Sequence, residues 1–169
     1  MKLLAKIAMV ASFLYYCAGF SWLWFGQMIG AHNEVWDTFG FPAQAASPPL
    51  WSMVAGLTFT LIGMAGLLYA YLGVWRILDG GSGQDFRALA RRLHMIAKGL
   101  FGFWLGYNLV TGVTQFLIVS GFESTEGFDF GYDPLDTDVL FLILSIALFA
   151  IANVMHRAWE AEEENKLFL

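Results

Sequence analysis

Four long apolar runs separated by short polar stretches set the plan of this chain, at about 4–29, 50–78, 95–120 and 134–157. A bilayer core takes about 20 apolar residues per helix, and each run reaches that length. The predicted fold is all-α: an integral-membrane four-helix bundle forming one domain over residues 1–169. Helix signals sit at its edges. Ser47 and Pro48 suit the start of the second span and Gly80-Gly81 its end. Asp133 and Pro134, followed by Asp136, suit the start of the fourth, where carboxylates meet the positive helix end.

The pattern changes before the third run. Phe86, Leu89, Ala90, Leu93 and Ala97 recur at helical spacing, while Arg87, Arg91, His94 and Lys98 follow one another on a different face. This predicts an interfacial amphipathic helix over about 85–97, lying at the inner membrane surface and leading into the third span. Its basic stripe, with Arg92 beside it, is the candidate contact for anionic lipid or a partner. Lys2 and Lys6 ahead of an apolar stretch imitate a secretion signal, but the run continues to Ile29 and no A-x-A site follows, so a retained first helix is expected.

Charge supplies orientation. All nine lysines and arginines (Lys2, Lys6, Arg76, Arg87, Arg91, Arg92, Lys98, Arg157 and Lys166) fall on one side of the simplest four-span topology. By the positive-inside rule both termini are cytoplasmic. The opposite side holds Glu34, Asp37, Glu123, Glu126, Asp129, Asp133, Asp136 and Asp138 and no base. With 58% hydrophobic and 14% charged residues and a net charge of −5, the chain is a membrane protein with no affinity for nucleic acid expected. Trp22, Trp24 and Trp51, with Trp36, Phe39 and Phe41, are expected to form an outer aromatic belt, and Trp75 and Trp159 an inner one.

Candidate chemistry is sparse. His94 and His156 come to the same cytoplasmic level on antiparallel spans, the arrangement of two axial haem ligands, but both lie at the interface, too shallow to seat a macrocycle comfortably, and ordinary interfacial histidines are the expected reading. His32 stands apart from both. Asn108, Thr111 and Gln115 share one face of the third span, where they can bond to neighbouring helices or line a pocket for a quinone headgroup. The acidic outer loop lacks the order of a calcium-binding loop, and no metal site is expected. No strongly ionisable residue lies between the interfaces, which disfavours a proton-coupled pump. Gly26-x-x-x-Gly30 and Gly102-x-x-x-Gly106 allow close helix packing, and the lone Cys17 has no partner for a disulfide. The tail glutamates Glu160, Glu162, Glu163 and Glu164 are placed to pair with Arg87, Arg91 or Arg92, or to remain solvated.

One resemblance follows from these segments. Asp85-Phe86-Arg87-Ala88-Leu89-Ala90-Arg91-Arg92-Leu93 precedes the third span, and the fourth runs into Ala152-Asn153-Val154-Met155-His156-Arg157-Ala158-Trp159-Glu160 and the glutamates beyond. In that order they resemble a bacterial family of small four-helix membrane proteins of unknown function, often encoded beside small Cro-type helix-turn-helix regulators. The resemblance covers most of the chain. It implies a four-helix fold in a bacterial inner membrane and supplies no catalytic residues. The expected function is that of a non-enzymatic accessory or regulatory protein, without cofactor, that binds membrane lipids and a larger membrane complex. The alternative is a redox or pigment-associated protein holding haem, quinone or chlorophyll through His94, His156 or Asn108.

Overall fold

The computed structural model describes residues 2–30, 48–80, 85–121 and 138–166, and the structural statements below concern these. Ser47, His32, Trp36, Phe39, Phe41 and the acidic stretch from Glu123 to Asp136 lie outside them. The described residues form four long helices: α1 Lys2–Met28, α2 Leu50–Asp79, α3 Phe86–Val119 and α4 Asp138–Lys166. Each is long and apolar enough to cross a membrane, so the chain has the make-up of a multi-pass membrane protein.

Local chemistry explains the edges. Gly30 takes φ +68 just beyond α1, a left-handed conformation that glycine adopts without a Cβ penalty, and its N–H reaches Gln27 O at 3.1 Å. Pro49 immediately precedes α2, so Pro48 lies ahead of the helix and not in its first turn, and the Pro49 carbonyl accepts from Ser52 Oγ at 2.7 Å. Gly80 ends α2, as expected, donating to Arg76 O. Asp85 caps α3 by accepting from the Arg87 N–H at 3.2 Å. No break separates the basic segment from the third span. Residues 86–108 are continuous α-helix, so the segment expected as a separate surface helix forms the first turns of α3.

The helices pack in series. The backbone of α1 approaches that of α2 alone, α2 lies along α3, and α4 follows α3 alone. Three sets of contacts show that every neighbouring pair is antiparallel. Lys6 meets Asp79 while Trp24 meets Thr60. Gly63 meets Gly106 while Gly73 meets Arg92. Arg87 meets Trp159 while Phe103 meets Phe141. The N-terminal ends of α1 and α3 and the C-terminal ends of α2 and α4 therefore share one end of the molecule.

Glycine spacing governs the central contact. Gly56 and Gly63, Gly66 and Gly73, and Gly99 and Gly106 are each seven residues apart, which returns each pair to the same helix face. A Cβ on Gly106 would lie 2.3 Å from Gly63 N, one on Gly99 2.4 Å from Ala70 N, and one on Gly66 2.5 Å from Phe103 N. The backbones of α2 and α3 thus touch directly. Lipid tails are as apolar as leucine, so close van der Waals packing replaces the hydrophobic effect as the force between spans. Of the two G-x-x-x-G motifs, the one at Gly102 and Gly106 lies in this seam, whereas Gly30 has nothing within 4 Å of its added carbon and serves the helix end.

The outer helices are keyed to this pair. Trp24 is fully buried, contrary to its expected place in the outer belt. Its six-membered ring fills the slot left by Gly56, and Nε1 donates to Thr60 Oγ1 at 2.8 Å. Trp22 and Trp51 remain about half exposed. On the other flank Ser145 Oγ donates to Ala97 O at 2.8 Å, and both residues are fully buried; Ala152, two turns further along α4, is buried as well.

Alanine at Gly99 or Gly106 forces the seam apart and is expected to cost about 1–3 kcal/mol. Gly102→Ala, whose Cβ meets its nearest atom at 3.4 Å, costs less. Thermal unfolding in detergent, followed by circular dichroism, checks this order: the midpoints of Gly99→Ala and Gly106→Ala fall well below that of Gly102→Ala.

Candidate functional site

All nine lysines and arginines lie toward the shared end of the four helices, because the antiparallel series brings their segments together there. Specific contacts hold that end in place. Lys6 pairs with Asp79 across α1 and α2, and its Nζ lies 4.5 Å from the Trp75 ring centre. Ser12 Oγ and Tyr71 OH share a hydrogen bond of 2.7 Å deeper in the same interface. The Arg87 guanidinium lies 4.6 Å over the Trp159 ring, joining the start of α3 to the extension of α4 by a cation–π contact.

Between the end of α2 and the beginning of α3 the side chains leave a cavity of about 650 Å³. Arg91, Arg92, His94 and Lys98 line it from α3, and Tyr69 and Arg76 from α2. Three of the four bases expected to act together do share this space. Arg87 does not line it, having turned toward Trp159. Arg76 is the member that sequence spacing missed, since it sits on another helix. It donates from Nη1 to Met95 Sδ at 3.3 Å, a contact that holds it across the gap against α3. No carboxylate of a described residue lines the cavity.

The histidines are not brought together. The His94 ring packs edge-on against Phe149 with centres 5.6 Å apart, and its Nδ1 lies 3.1 Å from Ala90 O. His156 stacks on Trp159 and lies 3.4 Å from Glu160. It follows Phe149 by seven residues, about 10 Å along the helix axis. The space beside His94 in this direction is filled by an aromatic ring.

Asn108 belongs to a different level of α3. Its Nδ2 donates to Trp104 O at 2.8 Å, and Thr111 Oγ1 donates to Tyr107 O at 3.0 Å. Both polar groups satisfy carbonyls of their own helix. Leu109–Thr114 is wound as π-helix, with Thr114 Oγ1 donating to Leu109 O at 3.3 Å. The run Val110-Thr111-Gly112-Val113-Thr114 carried the signal: β-branched residues and glycine weaken the α-helix there. The wider turn changes the angular register, so the common face expected for Asn108, Thr111 and Gln115 does not continue unbroken. Gln115 and Thr114 are buried, whereas Asn108 and Thr111 are half-buried.

The tail glutamates do not pair with Arg87 or Arg91. Glu162 and Glu163 lie 3.3 and 2.9 Å from Lys166 and Glu160 faces His156, all within α4. Spacing of one turn makes these local pairs the easier ones to form. Among the described residues no group of three His, Cys, Asp or Glu is placed to hold a metal ion.

If the Arg87–Trp159 contact holds the α4 extension, removing either ring or cation frees it. Arg87→Leu and Trp159→Leu are each expected to speed amide hydrogen exchange over residues 158–166, and the double variant to go no further than either. Unchanged exchange would show that other contacts restrain the extension. No protein-family model matches this chain, and neither a curated protein nor a solved structure matches it.

Proposed function

We propose that this chain is a non-catalytic accessory or regulatory protein of the bacterial inner membrane, a four-helix bundle with both termini cytoplasmic, that binds a larger membrane complex through its outer helix faces and lipid through its basic end. The bacterial family resembled by residues 85–93 and 152–165 is part of this reading. The gathering of all nine bases at one end supports the orientation by the positive-inside rule. In that orientation residues 86–97 of α3 sit at the inner interface.

The observation that carries the accessory role is the outward face of α1. Ala8, Ala11, Tyr15, Ala18, Gly19 and Trp22 are exposed there, and no atom lies within 4 Å of a Cβ added to Gly19. Glycine in a helix interior costs about 1 kcal/mol relative to alanine, and nothing among the described residues requires it at this position. Small residues flanked by aromatics are what membrane helices use to approach another helix. A haem or pigment role draws no comparable support, because Phe149 packs beside His94 and the Asn108 amide bonds to its own helix.

Gly19→Leu is therefore expected to leave the thermal midpoint of the purified chain unchanged or higher while abolishing capture of a membrane partner by a photo-crosslinker placed at Tyr15. Recovery of the bare chain alone, with and without the substitution, would defeat the accessory reading. Orientation is checked separately in whole cells. Ser124→Cys should react with an impermeant thiol reagent added outside, and Ser82→Cys only after the membrane is opened; the reverse would overturn the topology.

A further inference from the structure

The cavity beside α2 and α3 has the charge and volume of a lipid-headgroup site, and it deepens the lipid-binding part of the function proposed above. Four bases line it, and no carboxylate of a described residue is among the lining side chains. Arg76 and Arg91 are exposed, as is Lys98. None of the three is in an ion pair among the described residues. A guanidinium offers five N–H donors, and the partner Arg76 has here is a thioether sulfur, a weak acceptor. Such a cluster is built for an anion with many oxygens, since arginine forks match phosphate geometry.

The extent of the cavity argues for more than one phosphate. Arg91 and Lys98 are seven residues apart, about 10 Å along the helix, and the volume of about 650 Å³ falls within the range of sites that enclose whole small ligands. The surroundings distinguish a lipid from a soluble anion. Beyond Lys98, at the same helical spacing, come Phe101 and Leu105, both exposed apolar residues, and Tyr69 continues the opposite wall. A headgroup seated among the bases would leave its acyl chains along this apolar surface. We infer that this cavity binds an anionic phospholipid whose headgroup carries two phosphates, as cardiolipin does, with Arg76, Arg91 and Lys98 as phosphate ligands. Basic pockets between spans at the cytoplasmic face are suited to such headgroups.

The test uses the purified full chain, delipidated and returned to nanodiscs, where both leaflets are alike and no partner is present. Its outcome is thus independent of the orientation and of the accessory role. Native mass spectrometry should show one cardiolipin retained per chain and no retained phosphatidylcholine at equal content. Arg76→Gln and Lys98→Gln should each weaken cardiolipin retention about fivefold, the effect of one interfacial charge. Arg157→Gln, outside the cavity, should leave it unchanged. Lys98 and Arg76 are exposed, so both variants are expected to keep the wild-type helical content by circular dichroism. Retention of cardiolipin undiminished in both folded variants would overturn the inference. So would equal retention of phosphatidylcholine, or binding of inorganic pyrophosphate in detergent as tight as that of cardiolipin, which would mark a site for a soluble anion.

Discussion

The direct contact between the backbones of α2 and α3 is the constraint on which the rest of the structure rests. Gly63 and Gly66 face Gly99, Gly102 and Gly106 backbone to backbone, and Gly73 closes onto Ile96 and the Arg92 carbonyl. In a bilayer there is no water to drive helices together, so association depends on how closely their surfaces meet. Glycine is a weak helix former in water, yet in this seam its missing side chain permits the closest approach. The heptad spacing then keeps the two faces in register over several turns. Both outer helices attach to what this pair presents: the slot at Gly56 that receives Trp24, and the Ala97 carbonyl that receives Ser145.

That pairing also builds the basic cavity. Arg76 stands near the end of α2 and Arg91, Arg92 and Lys98 near the start of α3, so they come together only because the helices run antiparallel in close contact. At the level of the cavity the two backbones also touch, since Gly73 lies against Ile96 and the Arg92 carbonyl. At the rim, Arg87 and Trp159 tie in α4, while Lys6, Asp79 and Trp75 tie in α1. Charge is thus concentrated at one end, partly paired at Lys6 and Lys166, and the apolar length of the helices is left to packing.

Much of this plan was legible in the apolar runs. Helix length and position follow from hydropathy because backbone groups in lipid must bond within their own helix, and Gly80 ends α2 where its chemistry indicated. Partner choice was less legible. Trp24 read as a belt residue because its burial depends on Gly56, thirty-two positions away, being a glycine. Arg76 was not read with the α3 bases for the same reason. The glutamate tail chose Lys166 over the α3 arginines because neighbours one turn apart pair without a long-range constraint. The glycine heptads were visible but unselected among 18 glycines, most of which have other placements. The π-turn at Leu109–Thr114 disturbed a face deduced from uniform α-helical spacing.

The most direct measurement of the central contact is magic-angle-spinning NMR on the chain labelled at glycine Cα with carbon-13 and reconstituted in lipid bilayers. The account predicts a strong through-space cross-peak between Gly63 and Gly106 and another between Gly66 and Gly102, since a Cβ on Gly63 would meet Gly106 Cα at 3.5 Å and one on Gly102 would meet Gly66 Cα at 3.4 Å. Absence of both peaks, in a sample whose sequential helix signals are resolved, would contradict it.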